Sequence, residues 1–93
     1  MSDNSIRIEI YSRPGCHLCD EMKDVIRRVA RHVPLALEEI DISADPELER
    51  YRVEIPVLMI DGKKAAKYRI TEDELTRMVI ARAGKAGGAG GAG

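Results

Sequence analysis

The two cysteines of this 93-residue chain, Cys16 and Cys19, are separated by two residues and are the side chains best suited to chemistry. Two thiols at this spacing can form and break a disulfide, or they can supply half of the ligands of a metal site. A disulfide between them closes a very short loop and constrains the unfolded chain little, so a purely structural role explains it poorly. In a reducing compartment the pair therefore indicates redox chemistry or metal binding.

The surrounding sequence predicts that the pair lies at the start of a helix that follows a strand. Isoleucines alternate with charged residues from Ile6 to Tyr11, which is the period of a strand with one buried face. Residues 12–15, Ser-Arg-Pro-Gly, break this pattern. From Cys16 to Val33 apolar residues recur at helical spacing, so we expect a helix there.

A helix N-terminus favours a thiolate at Cys16, because unpaired backbone N–H groups and the positive end of the helix dipole lie beside it. Free cysteine titrates at roughly pH 8.5, and this value falls by about one to several units in such motifs. Arg13 and His17 would add positive charge nearby. Cys19 lies one helical turn further on, on the inward face but within reach of Cys16. We therefore predict that Cys16 attacks a substrate disulfide and that Cys19 resolves the mixed disulfide.

Metal binding is the main alternative for the pair. A zinc site within one chain needs two further ligands, but His17 lies inside the motif and His32 lies about four turns down the same helix. An iron–sulfur cluster shared by two copies of the chain stays open, because a dimer supplies four thiolates. No metal ligands are assigned within a single chain.

The remaining elements are predicted to complete an α/β domain with the order βαβαββα. They are a strand over 35–42, a short helix over 45–52, strands over 57–60 and 64–68 joined by the turn Asp61-Gly62, and a helix that starts with the capping box Thr71 to Glu74. The core must be aliphatic, because the chain has no Phe or Trp. Leu35, Leu37, Met22, Met59 and Met78 are assigned to it.

Composition excludes several kinds of partner. With 15 basic and 16 acidic residues, the formal net charge is -1, so no overall field attracts nucleic acid or a membrane surface. No stretch approaches the roughly 20 apolar residues of a membrane span, and residues 1–10 carry charges where a signal peptide is apolar. We expect one domain over 1–83 in the cytoplasm, and a disordered Gly/Ala-rich tail over 84–93.

Three segments of the sequence resemble the glutaredoxin-like proteins. Residues 11–19, Tyr-Ser-Arg-Pro-Gly-Cys-His-Leu-Cys, are similar to the active-site segment of that family. Residues 55–58, Ile-Pro-Val-Leu, are similar to its cis-proline segment, and Asp61-Gly62 to its hairpin turn. The resemblance covers about residues 6–83. It implies the thioredoxin fold, in which three layers place a four-stranded mixed sheet between three helices.

The resemblance also implies how a substrate is held. In that family the proline that matches Pro56 is cis and lies beside the reactive cysteine, and the residue before it, here Ile55, offers its backbone to a disulfide substrate. Arg13, Pro14 and His17 complete the predicted substrate-binding set. The expected substrates are disulfide-containing proteins or small thiols. The expected reductant is glutathione or an enzyme of the thioredoxin-reductase type.

Two departures, one from the glutaredoxins and one from the thioredoxins, concern the co-substrate and the electron donor. Many glutaredoxins hold glutathione with a pair of glycines before the last helix, where this chain has Arg69 and Ile70. The Trp that flanks the motif in thioredoxins is also absent. Glutathione therefore stays open as a co-substrate, no bound cofactor is expected, and the chain is expected to act as a monomer.

Overall fold

A computed structural model describes residues 5–87 of the chain, with side chains through Arg82. Its elements follow the predicted order βαβαββα, with a 3₁₀ helix as the second helix. They are β1 (Ile6–Ser12), α1 (His17–Ala30), β2 (Leu35–Asp41), 3₁₀ segments at Ile42–Ala44 and Pro46–Val53, β3 (Val57–Ile60), β4 (Lys63–Lys67) and α2 (Glu72–Gly87). The predicted α/β fold class is confirmed.

The four strands form one mixed sheet in the order β2-β1-β3-β4. β1 runs parallel to β2 and antiparallel to β3, and β4 returns antiparallel to β3. Tyr11 pairs with Val57, which in turn pairs with Lys67. The end of β1, the start of β3 and the end of β4 therefore lie together at one end of the sheet, which we call the motif end because the Cys-x-x-Cys segment follows β1 there.

An aliphatic core lies between the sheet and one face of α1 and α2. Along β1, buried isoleucines alternate with more exposed residues, because successive side chains of a strand point to opposite faces. Core side chains include Ile8, Ile10, Met22, Ile26, Leu58, Leu75 and Val79. Met22 is buried as predicted, whereas Met59 and Met78 are half-buried.

β2 forms an edge of the sheet and is more exposed than its sequence predicts. Leu35 packs partly buried against the core, but Leu37 is 36% exposed. Both residues lie on the same face as the core, since they pair with Ile6 and Ile8. β2 has a neighbouring strand on only one side, so the layer of helices covers it incompletely. Leu37 therefore lies on the predicted face but, contrary to what its sequence indicates, is not buried in the core.

The 3₁₀ helix Pro46–Val53 contacts the opposite face of the sheet. Asp45 caps its start, as predicted, by accepting a hydrogen bond from the Glu47 N–H at 3.0 Å. Tyr51 from this helix packs edge-on against Tyr11 of β1, with the ring centroids 4.8 Å apart. The tyrosine pair thus anchors the segment that leads into the proline loop.

The β3–β4 turn has the geometry that its sequence predicts. Asp61 and Gly62 both have positive φ, 51° and 83°, as the central residues of a type I′ turn do. Gly adopts this conformation without steric cost, and Asp tolerates it. The predicted antiparallel hairpin is therefore confirmed, with β4 shifted one residue toward the turn, to 63–67.

α2 begins with the predicted capping box. Glu74 accepts from the Thr71 N–H at 3.0 Å, and Thr71 Oγ1 accepts from the Glu74 N–H at 3.1 Å. The helix continues through Gly87, beyond the predicted domain boundary at residue 83. The first residues of the predicted tail, 84–87, are thus helical, and 88–93 lie outside the described residues. Over residues 5–87, no helix has the length and apolar character to cross a membrane.

Candidate active site

Cys16 and Cys19 are joined by a disulfide at the N-terminus of α1, with their Cα atoms 5.2 Å apart. Cys16 is the N-cap residue, and its Sγ accepts a hydrogen bond from the Cys19 N–H at 3.1 Å. Cys16 is half-buried, whereas Cys19 is only 1% exposed. An approaching molecule therefore reaches the sulfur of Cys16 before that of Cys19.

A tight turn places Cys16 at the motif end of the sheet. Gly15 has φ +82° in open surroundings, and the Cys16 N–H donates to the Arg13 carbonyl at 3.3 Å. Pro14, with its fixed φ, and Gly15, with its positive φ, suit such a turn between a strand and a helix. The turn points the sulfur of the N-cap residue along the first turn of α1, where unpaired N–H groups are available.

The cis-proline loop lies at the same end of the sheet. The Ile55–Pro56 peptide bond is cis, as the resemblance implies, and Pro56 directly precedes Val57, the partner of Tyr11. Pro56 is buried and Ile55 half-buried. The Ile55 N–H already donates to the Tyr51 carbonyl at 3.0 Å, so a substrate that uses this N–H must displace that carbonyl.

The structure does not gather the whole predicted substrate-binding set into one pocket. Arg13 and Pro14 are exposed and line a shallow cleft with Glu39 on the β2 side of β1. The Ile55–Pro56 loop lies on the β3 side, because β1 stands between β2 and β3. The two predicted groups thus flank the motif on opposite sides.

His17 points outward from the first turn of α1. Its side chain is 85% exposed, and its Nε2 lies 3.0 Å from Glu21 Oε2, one helical turn further on. The pairing places the carboxylate of Glu21 beside the motif, although both side chains are largely exposed. The i,i+4 spacing of the two residues on the predicted helix is the sequence signal that could have indicated this partner.

A polar network beneath the motif was missed by sequence reasoning. Ser12 is 1% exposed, and its hydroxyl donates to Glu39 at 2.8 Å. Lys23 donates to the same oxygen at 2.9 Å, which together with the Ser12 hydrogen bond lowers the pKa of Glu39. The hydrogen bond to Glu39 likewise raises the pKa of Lys23. Lys23 lies four residues after Cys19, but no sequence pattern indicates a contact with β2.

A groove beside the disulfide was also missed. It lies between α1 and the segment that joins β4 to α2, and we call it the α1–α2 groove. Its volume is about 220 Å³, and its lining includes Leu18, Glu21, Val25, Tyr68, Ile70 and Glu74. Tyr68 has φ +71°, and its N–H donates to the Pro56 carbonyl at 2.8 Å. The groove therefore extends from the motif, at Leu18, to the strand end beside the cis-proline.

Grouped metal ligands are not seen around the pair. Over residues 5–87, no set of three or more His, Cys, Asp or Glu side chains is arranged to hold a metal ion.

Three features define this chain as a thioredoxin-fold protein with a redox-type cysteine pair. They are the mixed four-stranded sheet, the cysteine pair at the N-terminus of the helix that follows β1, and the cis-proline at the motif end of the sheet. The model of the family described as Glutaredoxin-like domain (DUF836) matches residues 7–79. The chain belongs to this glutaredoxin-like family. The resemblance stated from the sequence is thus confirmed.

Individual relatives agree with this assignment. The chain is 38% identical over 78 residues to the glutaredoxin-like protein YDR286C homolog of Dictyostelium discoideum, covering 76% of this chain and 72% of that protein. The solution structure of protein Ne2328 from Nitrosomonas europaea matches with a TM-score of 0.71 and 28% identity, covering 84% of this chain and 95% of that one. Thioredoxin 1 of Thermosipho africanus shares the fold, with a TM-score of 0.63 at 16% identity, over 87% of this chain and 98% of that one.

Proposed function

We propose that this chain is a thiol–disulfide oxidoreductase that reduces or exchanges disulfides in the cytoplasm through Cys16 and Cys19. One observation carries the proposal: the half-buried sulfur of Cys16 accepts the Cys19 N–H at 3.1 Å at the start of α1. In the reduced protein this N–H and the helix dipole favour a thiolate at Cys16. A thiolate, rather than a thiol, is the nucleophile in disulfide exchange.

The reaction has two exchange steps. The Cys16 thiolate attacks one sulfur of a substrate disulfide, a Cys16–substrate bond forms, and the other substrate sulfur leaves as a thiolate that takes up a proton. Cys19 then loses its proton and attacks Cys16, which releases the second substrate thiol and closes the Cys16–Cys19 disulfide. The substrate gains two electrons and two protons, and the dithiol loses them.

The surroundings of the pair support a bound polypeptide or small disulfide. Ile55 and Pro56 lie at the motif end of the sheet, where the Ile55 backbone can pair with an extended substrate that displaces the Tyr51 carbonyl from the Ile55 N–H. Arg13 and Pro14 flank the other side of Cys16 and are exposed. The proposal has two further parts. The chain acts as a monomer, and glutathione or an enzyme of the thioredoxin-reductase type reduces the Cys16–Cys19 disulfide back to the dithiol.

The test is a redox titration of the purified protein in glutathione buffers, with free thiols at Cys16 and Cys19 counted by alkylation and mass spectrometry. We expect a reversible two-electron transition at about -200 to -270 mV, the range spanned by glutaredoxins and thioredoxin. Cys19→Ser should accumulate a mixed disulfide on Cys16 when a disulfide substrate is added. Cys16→Ser, the matched control, should not.

Two results would contradict the proposal. One is a pair of thiols that never closes to an intramolecular disulfide at any potential tested. The other is a purified protein that contains iron and absorbs visible light, which would indicate a cluster shared between two chains.

A further inference from the structure

We infer that the α1–α2 groove selects the substrate, and that it takes a Lys or Arg side chain next to the cysteine of a disulfide-bonded polypeptide. This inference rests on the proposed function, because it names the substrate class of the same site. The groove begins at Leu18, between the two cysteines, and ends at Tyr68, whose N–H contacts the Pro56 carbonyl. A polypeptide whose sulfur is bonded to Cys16 therefore passes beside it.

The size of the groove fits part of a chain rather than a whole small molecule. Its volume of about 220 Å³ is below the roughly 300–1,000 Å³ of pockets that enclose small ligands. Its lining combines the apolar side chains of Leu18, Val25 and Ile70 with Tyr68, a residue that is 43% exposed. A long side chain can lie against such a surface along its methylene groups while its charged end stays near water.

The helix end in this groove is poorly suited to bind a carboxylate. Two N–H groups at this helix end, those of Thr71 and Glu74, are already bonded inside the capping box, at 3.0 and 3.1 Å, which leaves those of Glu72 and Asp73 in the first turn. The carboxylate of Glu74 itself lines the groove. The first turn of α2 carries two more acidic residues, Glu72 and Asp73, which offset the positive end of the helix dipole.

The charges on the two walls favour a cation instead. Glu21 of α1 and Glu74 of α2 line the groove from opposite sides, against the single basic side chain of Arg69. Glu21 is held by His17 at 3.0 Å, but its side chain remains 52% exposed. Outside the lining, Glu72 is paired with Arg28 at 3.3 Å, and Lys67 Nζ lies 5.5 Å from the ring centroid of Tyr68, at the Tyr68 end of the groove. Near Glu21 and Glu74, an ammonium or guanidinium end is therefore favoured over an anion such as glutathione.

The test compares disulfide dimers of three peptides, acetyl-Lys-Cys-Lys-amide and the same peptide with Gln or with Glu in place of both lysines. Reduced protein is mixed with each dimer and with oxidised glutathione, and the released thiol is followed over time. Each rate is divided by the rate of dithiothreitol with the same disulfide, which removes differences in intrinsic reactivity. We expect the order Lys, Gln, Glu, with at least a tenfold span, and oxidised glutathione near the Glu peptide.

Variants of the protein distinguish an effect of the carboxylates in the groove from an effect of the overall charge of the protein on the exchange rates. Glu21→Gln and Glu74→Gln should each lower the advantage of the Lys peptide by about threefold to fivefold. Gln preserves the capping box at residue 74, so folding is retained. Glu47→Gln, which removes the same charge from the 3₁₀ helix on the opposite face of the sheet, should leave the advantage unchanged. Added salt should reduce the advantage in the unsubstituted protein.

The outcomes distinguish this inference from the proposed function. Exchange with all four disulfides at equal normalised rates, or faster exchange with oxidised glutathione, overturns the inference but leaves an oxidoreductase. A Lys preference that survives in the double variant Glu21→Gln, Glu74→Gln also overturns it. Absence of exchange with any of the disulfides overturns both.

Discussion

At the scale of single residues, the two cysteines are distinguished by their surroundings rather than by their chemistry. Sequence reasoning could predict this difference, because the three-residue spacing in a helix places Cys19 one turn inside the N-cap. It did not use the i,i+4 spacing that places Glu21 beside His17 on the predicted helix. It could not predict that Tyr68 adopts a positive φ, because this depends on the path of the chain between β4 and α2, which residue types alone do not specify.

The position of Cys16 makes a prediction about its reactivity. In the reduced protein we expect iodoacetamide to modify Cys16 before Cys19, with half of Cys16 ionised at a pH below the roughly 8.5 of free cysteine. The reason is the hydrogen bond from the Cys19 N–H together with the N-terminus of α1. The pH dependence of alkylation, read residue by residue by mass spectrometry, measures it.

A peptide of residues 12–20 with Cys19→Ser is the matched control. It keeps Arg13 and His17 beside the thiol but is too short to form a stable helix. If the peptide and the protein show the same pH dependence at Cys16, the contribution of the helix N-terminus is refuted.

At the scale of elements, local signals in the sequence predicted most of the structure. Residue alternation located β1, the Asp61-Gly62 pair located the hairpin, and the capping box located the start of α2. The exposure of β2 was not predictable from its apolar residues. A strand lies at the edge of a sheet when no other strand pairs on its second side, and this depends on how the rest of the chain is arranged. The network of Ser12, Glu39 and Lys23 also joins three elements that are distant in sequence.

This network predicts a pH-dependent contribution to stability. The pKa of Glu39 lies below the ordinary value of 4.5 because of the hydrogen bonds from Lys23 and Ser12. A lowered carboxyl pKa stabilises the folded state above the ordinary pKa, and this contribution is lost as pH falls through the folded-state pKa. Glu39→Gln should therefore lower the free energy of unfolding at pH 7 by less than about 1 kcal/mol, since the side chain is 46% exposed.

Urea unfolding at several pH values tests this contribution. The difference between the unsubstituted protein and Glu39→Gln should shrink toward zero as the pH falls below the lowered pKa of Glu39. Glu38→Gln, the neighbouring residue on the opposite face of β2, is the control and should show no such trend. A difference that is constant from neutral to acidic pH would mean that the charge of Glu39 is not what stabilises the network.

At the scale of the whole molecule, two layers of different size cover one sheet. The aliphatic core under α1 and α2 covers one face, and the 3₁₀ helix with the Tyr11–Tyr51 pair contacts the other. β1 and β3 contribute side chains to both layers, because successive side chains of a strand point to opposite faces of the sheet. The absence of Phe and Trp predicted an aliphatic core, but the sequence did not indicate that two tyrosines pack together on the other face.

Because the same strands carry both layers, we expect them to unfold as one cooperative unit. Leu75 is fully buried in α2, so Leu75→Ala should lower the free energy of unfolding by about 2–5 kcal/mol. Far-UV circular dichroism and tyrosine fluorescence should move to the same lower urea midpoint. Tyr68→Phe in every sample confines the fluorescence to Tyr11 and Tyr51, on the face opposite Leu75.

Ile80→Ala in the same helix is the matched control. Ile80 is 55% exposed, so its truncation should change the free energy of unfolding by no more than about 0.5 kcal/mol. If Leu75→Ala lowers the circular dichroism midpoint while the Tyr11–Tyr51 fluorescence midpoint stays in place, the two layers unfold separately. If the circular dichroism and fluorescence midpoints coincide in every variant, a loss of packing under α2 destabilises β1, β3 and the loop that contains Pro56 to the same extent. The stability of the candidate active site would then be that of the whole domain.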